Sequence, residues 1–181
     1  KAFDTQLERA VALKVLAERL TADAARLDRF AHEARTLAAL NHPNIVTIYS
    51  VETAAGLHFL TMEWIAGRPL GELLPPEGLP YSRFLEIADA VAAAIAAAEA
   101  QGIAHRVLMP ANVMVATWGP LKVLDLGLAH SLPAAAAPVL REATTRPLSG
   151  DSEIAGTLPY MAPELLRGDA TDGRSDLFAF G

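Results

Sequence analysis

The sequence predicts an α+β chain built as two unequal lobes. Short strand-like runs crowd the first third of the chain and are interrupted by one amphipathic helix. A longer helical pattern with a small hairpin fills the rest. Between them, at Ala66-Gly67-Arg68-Pro69, apolar periodicity gives way to glycine and proline, which marks the connection between lobes. The expected units are residues 1–65 and 66–181.

Each element follows from local pattern. Val11 to Leu16 is short and apolar with a single lysine, Lys14, and predicts a strand. Thr21-Ala22-Asp23 offers helix-start residues, and Leu27, Phe30, Ala34, Leu37 and Ala38 recur at helical spacing up to Leu40. Asn41-His42-Pro43-Asn44 ends that helix, because the residue before proline is pushed out of the α region. Ile45–Glu52 and Leu57–Glu63 predict two strands joined by a turn at Thr53-Ala54-Ala55-Gly56. A proline- and glycine-rich connection runs through Pro75-Pro76-Glu77-Gly78. A long helix is expected from Ser82 to Gln101, closed by Gly102. Val113–Ala116 and Leu121–Leu124 predict a hairpin around Trp118-Gly119-Pro120. From Ala129 to about Ile154 the pattern is that of a long loop, and loops of this length inside a domain are usually functional. The final Ser175 to Gly181 run reads as the start of another helix.

Composition narrows the function classes. Hydrophobic residues make up 52% and charged residues 20%, enough for a packed core. With 15 Lys and Arg against 21 Asp and Glu, the net charge of -6 argues against a nucleic-acid partner, which needs clustered cations. No cysteine is present, so disulfides, thiolate catalysis and zinc–cysteine sites are excluded. Lys1-Ala2-Phe3-Asp4 is not a signal peptide, and Ala88–Ala100, interrupted by Asp89 and Glu99, is too short to span a bilayer. The expectation is a cytoplasmic domain without a membrane segment of its own, cut at both ends.

The chemistry-bearing residues come in a recognisable order. Val11-Ala12-Leu13-Lys14 is followed by His105-Arg106-Val107-Leu108-Met109-Pro110-Ala111-Asn112, then Asp125-Leu126-Gly127, then Ala162-Pro163-Glu164. His42-Pro43-Asn44-Ile45-Val46 and Gly156-Thr157-Leu158-Pro159-Tyr160-Met161 lie between. Taken together, the chain resembles the serine/threonine protein kinases of the bacterial, eukaryotic-like type over essentially its whole length. The resemblance implies a bilobal kinase-like fold, with a small β-rich lobe carrying one helix and a larger helical lobe. It implies ATP and Mg2+ as cofactors and a protein substrate or regulatory partner.

Site roles follow from the same resemblance. Lys14 is expected to hold the α- and β-phosphates of ATP and to pair with Glu33 on the amphipathic helix. Asn112 and Asp125 are the expected magnesium ligands, since hard cations take oxygen donors. Met62-Glu63-Trp64-Ile65 reads as the hinge: backbone of Glu63 and Ile65 for the adenine edge, Met62 for the depth of the pocket. His105 is expected to be a packed structural histidine. Arg106 is a receiver for a phosphate carried by the long loop, with Thr144, Thr145, Ser149 and Ser152 as candidates. Thr157 is expected to shape the substrate groove, Asp176 to brace the catalytic loop, and Glu164 to pair with an arginine outside this stretch.

The catalytic loop departs from the family. Its aspartate, which orients the nucleophile and takes its proton, is replaced by Val107, and its lysine by Met109. Valine has no lone pair; a positioned base is commonly worth ~10²–10⁴ in rate. Three readings stay open: a nucleotide-binding pseudokinase acting as scaffold or allosteric regulator, a kinase that uses another group, and a decayed or erroneous sequence. No glycine-rich phosphate loop occurs, although Lys1-Ala2-Phe3-Asp4 resembles the stretch just after one.

Overall fold

A computed structural model of the chain describes residues 1–16, 24–126, 158–169 and 171–181. The first lobe is a four-stranded antiparallel sheet of β1 (Ala2–Asp4), β2 (Arg9–Val15), β3 (Ile48–Ala54) and β4 (Leu57–Glu63), in the order β1-β2-β4-β3. The helix α1 (Ala24–Ala38) packs against β3. The second lobe carries a three-stranded antiparallel sheet, β5 (Gly67–Pro69), β6 (Val113–Ala116) and β7 (Lys122–Val123). Its helices are α2 (Tyr81–Glu99), α3 (Pro163–Arg167) and α4 (Gly173–Phe180).

Burial explains the helices. α1 buries Phe30, Ala34 and Leu37, one stripe at helical spacing. α2 buries Ile87, Val91, Ala94, Ile95 and Ala98 in the same way, and the turn after it is closed by Gly102, whose φ of 72° suits glycine. Asp172 caps α4 by accepting the Arg174 N–H at 2.9 Å. These faces join residues from both sheets in one continuous core that includes Leu60, Leu108, Val113, Val123 and Leu126. No described helix is long and apolar enough to cross a membrane.

The differences from sequence expectation are local. β3 begins at Ile48 rather than Ile45 and continues to Ala54. The turn is therefore the pair Ala55-Gly56, with φ of 50° and 76°, the signature of a tight turn that matches strand twist. Ile45 instead makes an isolated parallel bridge to Val123, so this segment spans from the first lobe to the second. β1 and β5, three residues each, were too short to show a period. Gly67 lies inside β5 because only glycine fits there: a Cβ would sit 2.8 Å from Ala116 Cα and closer still to the Val115 carbonyl oxygen.

Candidate active site

The cleft residues arrive from both lobes. Lys14, near the end of β2, projects from the face of the sheet that also carries Leu60 opposite it. Its Nζ meets Asp125 Oδ1 at 2.6 Å. The expected Lys14–Glu33 pair is thus not the one formed. Glu33 instead lines a cavity of about 200 Å³ that also includes Thr36, Gly102, Ile103 and Arg106. Helical periodicity placed Glu33 on the correct element, but it does not set how that helix stands against β2.

Asp125 is placed by the hairpin. β6 and β7 pair Val113 with Val123, and Leu124 N–H donates to the Asn112 carbonyl oxygen at 2.8 Å. This brings the residue before Asp125 against Asn112, as the turn at Gly119 (φ 91°) allows. Asp125 itself has φ 58°, a left-handed conformation that side chains other than glycine rarely adopt. Such strain, about 1–3 kcal/mol, persists only where surrounding structure fixes it, and it clusters at functional sites. Arg106, in the catalytic loop, shares the feature with φ 69°.

The catalytic loop is held from below by Asp176. One carboxylate oxygen accepts the His105 N–H at 2.6 Å and the other accepts the Arg106 N–H at 2.5 Å. Asp176 is 1% exposed and His105 fully buried. Burial pushes the His105 pKa down, against the opposing pull of the Asp176 carboxylate, so the ring is neutral near pH 7. Among the described residues neither ring nitrogen has a hydrogen-bond partner of good geometry, although the backbone of His105 itself and of Leu124 also acts to raise its pKa; the burial fits a packing role. Across the loop, Asn112 donates its side-chain N–H to the Val107 carbonyl oxygen at 2.8 Å, leaving the amide oxygen for another partner. Ser175, also buried, donates its hydroxyl to Glu164 Oε1 at 2.6 Å; this bond is the main reason the Glu164 carboxyl lies below its ordinary value.

Val107 and Met109 sit within this frame. Val107 is partly exposed, and its side chain offers no lone pair to a hydroxyl in the cleft. Met109 lines an apolar cavity of about 220 Å³ with Leu108, Pro110, Tyr160 and Phe180. Met62 packs with Leu37, Ile48 and Leu126 around a gap of only about 10 Å³, which Asp125 also lines. Glu63 N–H, expected at the hinge, donates to the Thr47 carbonyl oxygen at 2.9 Å.

The donor set suits a magnesium-bound nucleotide. Asp125 and Asn112 carry hard oxygen donors, and Lys14 is a compact cation in contact with Asp125. Among the described residues no cluster of three or more His, Asp or Glu side chains could hold a metal, so magnesium here would draw the rest of its shell from phosphate and water. Thr144, Thr145, Ser149, Ser152 and Thr157, expected in the activation segment, lie outside the described residues, as does Gly127.

Sequence reasoning missed two residues. Lys122 Nζ binds Glu63 Oε2 at 2.9 Å, and Asn44 Nδ2 donates to the Leu121 carbonyl oxygen at 3.0 Å. A lone lysine in the apolar run Leu121-Lys122-Val123-Leu124 was the available signal.

Comparison with known proteins agrees with this geometry. A family model described as the protein kinase domain matches residues 1–181. The chain is 35% identical over 185 aligned residues to the serine/threonine-protein kinase PknB of Mycobacterium leprae, and 36% identical to that of Mycobacterium tuberculosis. Each alignment covers 99% of this chain and 28% of the relative, so the chain spans under a third of those proteins. A probable serine/threonine-protein kinase of Clostridium acetobutylicum is 32% identical over 182 residues. Among solved structures, the Mycobacterium tuberculosis PknI kinase domain superposes with a TM-score of 0.69 at 29% identity, covering 94% of this chain and 60% of that one. The strand order, the Lys14–Asp125 contact and the Asp176-braced loop are therefore features of a chain that belongs to the protein kinase domain family.

Proposed function

We propose that this domain binds ATP with magnesium between its lobes, and that transfer of the γ-phosphate to protein Ser or Thr is impaired by Val107 and Met109. The observation that carries the reading is the Lys14–Asp125 contact of 2.6 Å. It joins oppositely charged side chains from different lobes, and the backbone of Leu124, next to Asp125, is bonded to Asn112.

Each residue has a task in this reading. Lys14 neutralises phosphate oxygens; Asp125 and Asn112 supply oxygen ligands to magnesium, which in turn offsets the charge of the phosphates. Asp176 fixes the backbone of His105 and Arg106, and so the height of the loop beneath the cleft. Val107 occupies the position from which a carboxylate would orient a substrate hydroxyl and take its proton. With valine there, the incoming hydroxyl has neither an orienting acceptor nor a proton sink in that side chain. Met109 removes a cation from the same region, weakening electrostatic stabilisation of the group in flight.

The second reading, a nucleotide-binding scaffold or allosteric regulator without transfer, is favoured by Val107 itself. In both, the partner is a protein, whether substrate or regulated, and the setting is cytoplasmic. Nucleotide binding to the full-length protein, measured by calorimetry, tests the shared core. MgATP should bind, and Lys14→Met and Asp125→Ala should each weaken binding at least ~10-fold, about 1.4 kcal/mol. Failure of the native protein to bind at ~1 mM nucleotide would remove the proposal.

A further inference from the structure

Three segments distant in sequence meet at Lys122. Its ammonium contacts Glu63 Oε2 at 2.9 Å and the Ile45 carbonyl oxygen at 3.2 Å. Glu63 Oε2 also accepts the Thr47 N–H at 3.3 Å, while Glu63 N–H donates to the Thr47 carbonyl oxygen at 2.9 Å. The segment after α1 is stitched to the β6–β7 hairpin on both sides. Val46 N–H donates to the Val123 carbonyl oxygen at 3.0 Å, Val123 N–H to the Asn44 carbonyl oxygen at 2.7 Å, and the Asn44 amide to Leu121. The Lys122 side chain is only 12% exposed and that of Glu63 28%, so water screens this pair less than the exposed pairs elsewhere, such as Arg83–Glu86.

The arrangement joins parts that must move against each other if the lobes open. Glu63 closes the last strand of the first lobe. Lys122 lies on the hairpin that delivers Asp125. Residues 44–47 link α1 to β3.

We infer that Lys122 and Glu63, with Asn44, form an inter-lobe clamp that sets the opening of the cleft and hence the position of Asp125 relative to Lys14. Lys122 and Glu63 are positioning residues: their side chains act through the hairpin and the strand end. The inference rests on the nucleotide-site reading only for its kinetic consequence; the clamp itself is a property of the nucleotide-free protein.

Hydrogen–deuterium exchange on the nucleotide-free full-length protein tests it. Lys122→Met keeps most of the stem and removes the charge. Exchange should rise together, about tenfold, at the amides of Val46, Glu63 and Val123, while the amides of Ala94 and Ala98 in α2 stay protected. Glu63→Gln should reproduce the pattern, and the double variant should add little to either single one. Lys122→Arg should retain most of the protection, and Arg83→Gln should change nothing. Release of bound MgATP, followed by stopped flow, should be several-fold faster in Lys122→Met. Unchanged exchange at Val46 and Glu63 would overturn the clamp, and so would a uniform rise extending through α2, which would make Lys122 a general stability residue. If the native protein binds no nucleotide, the proposed function fails, while the exchange pattern still judges the clamp.

Discussion

Lys14 and Asp125, which lie on different lobes, touch at 2.6 Å, yet the lysine side chain is 47% exposed and the aspartate 29%. An ion pair so open to water contributes at most about 1 kcal/mol to folding. Its location is therefore better explained by what it receives than by what it stabilises.

That separation gives the first prediction. Lys14→Met should leave thermal unfolding nearly unchanged, within ~1 kcal/mol, while removing most nucleotide affinity. Differential scanning calorimetry with and without MgATP reads both effects in one protein. A large loss of stability without nucleotide would show that the pair is structural.

Asp176 should behave in the opposite way. Its two carboxylate oxygens hold the N–H groups of His105 and Arg106 in a buried setting. Asp176→Ala strands both donors, at a cost of roughly 2–5 kcal/mol. It also releases Arg106 from its left-handed φ. The unfolding free energy from chemical denaturation should fall by that amount, and a fall of under ~1 kcal/mol would show that the loop does not depend on this brace.

His105 predicts a pH dependence. Its folded pKa is lowered by burial from the ordinary value of 6.5, so below that value the unfolded chain binds a proton that the folded chain refuses. The associated stability is present in full above pH 6.5 and is lost as pH falls from there through the folded value. His105→Leu should flatten the decline in stability between about pH 7 and pH 5, in urea titrations at each pH. Parallel profiles for native and variant would contradict it.

Gly67→Ala probes the start of the second lobe. The new methyl group would collide with the backbone of Val115 and Ala116, which cannot swing aside as a flexible side chain can. The β5–β6 pairing should loosen, costing about 1–3 kcal/mol or more, seen as a lower melting temperature.

Much of the fold was legible because its elements are long enough to show a period. α1, α2, β2, β4 and the β6–β7 hairpin appear where apolar spacing and turn residues put them. β1 and β5 escaped because three residues carry no period. In the site, ordered motifs named Lys14, Asn112, Asp125 and Asp176; the structure joins Lys14 to Asp125, Asn112 to the Val107 carbonyl oxygen, and Asp176 to the backbone of His105 and Arg106. The Lys14–Glu33 pair was a different matter. Motifs name which residues belong to a site, but the stand of α1 against β2 depends on packing of Phe30, Ala34 and Leu37, which no spacing reveals. Lys122 was overlooked for a related reason: its partners, Glu63 and Ile45, are remote in sequence and meet only through the fold.

The central claim is that the nucleotide machinery is present and that transfer is limited by the loop at Val107 and Met109. Phosphate transfer from γ-labelled ATP to a generic protein substrate tests this most directly, on full-length native protein, the double variant Val107→Asp with Met109→Lys, and Asp125→Ala as the blank. The account predicts native turnover near the blank and a rise of ~10²-fold or more in the double variant. Native turnover well above the blank, unaltered in the double variant, would contradict it and require a catalytic group elsewhere in the cleft.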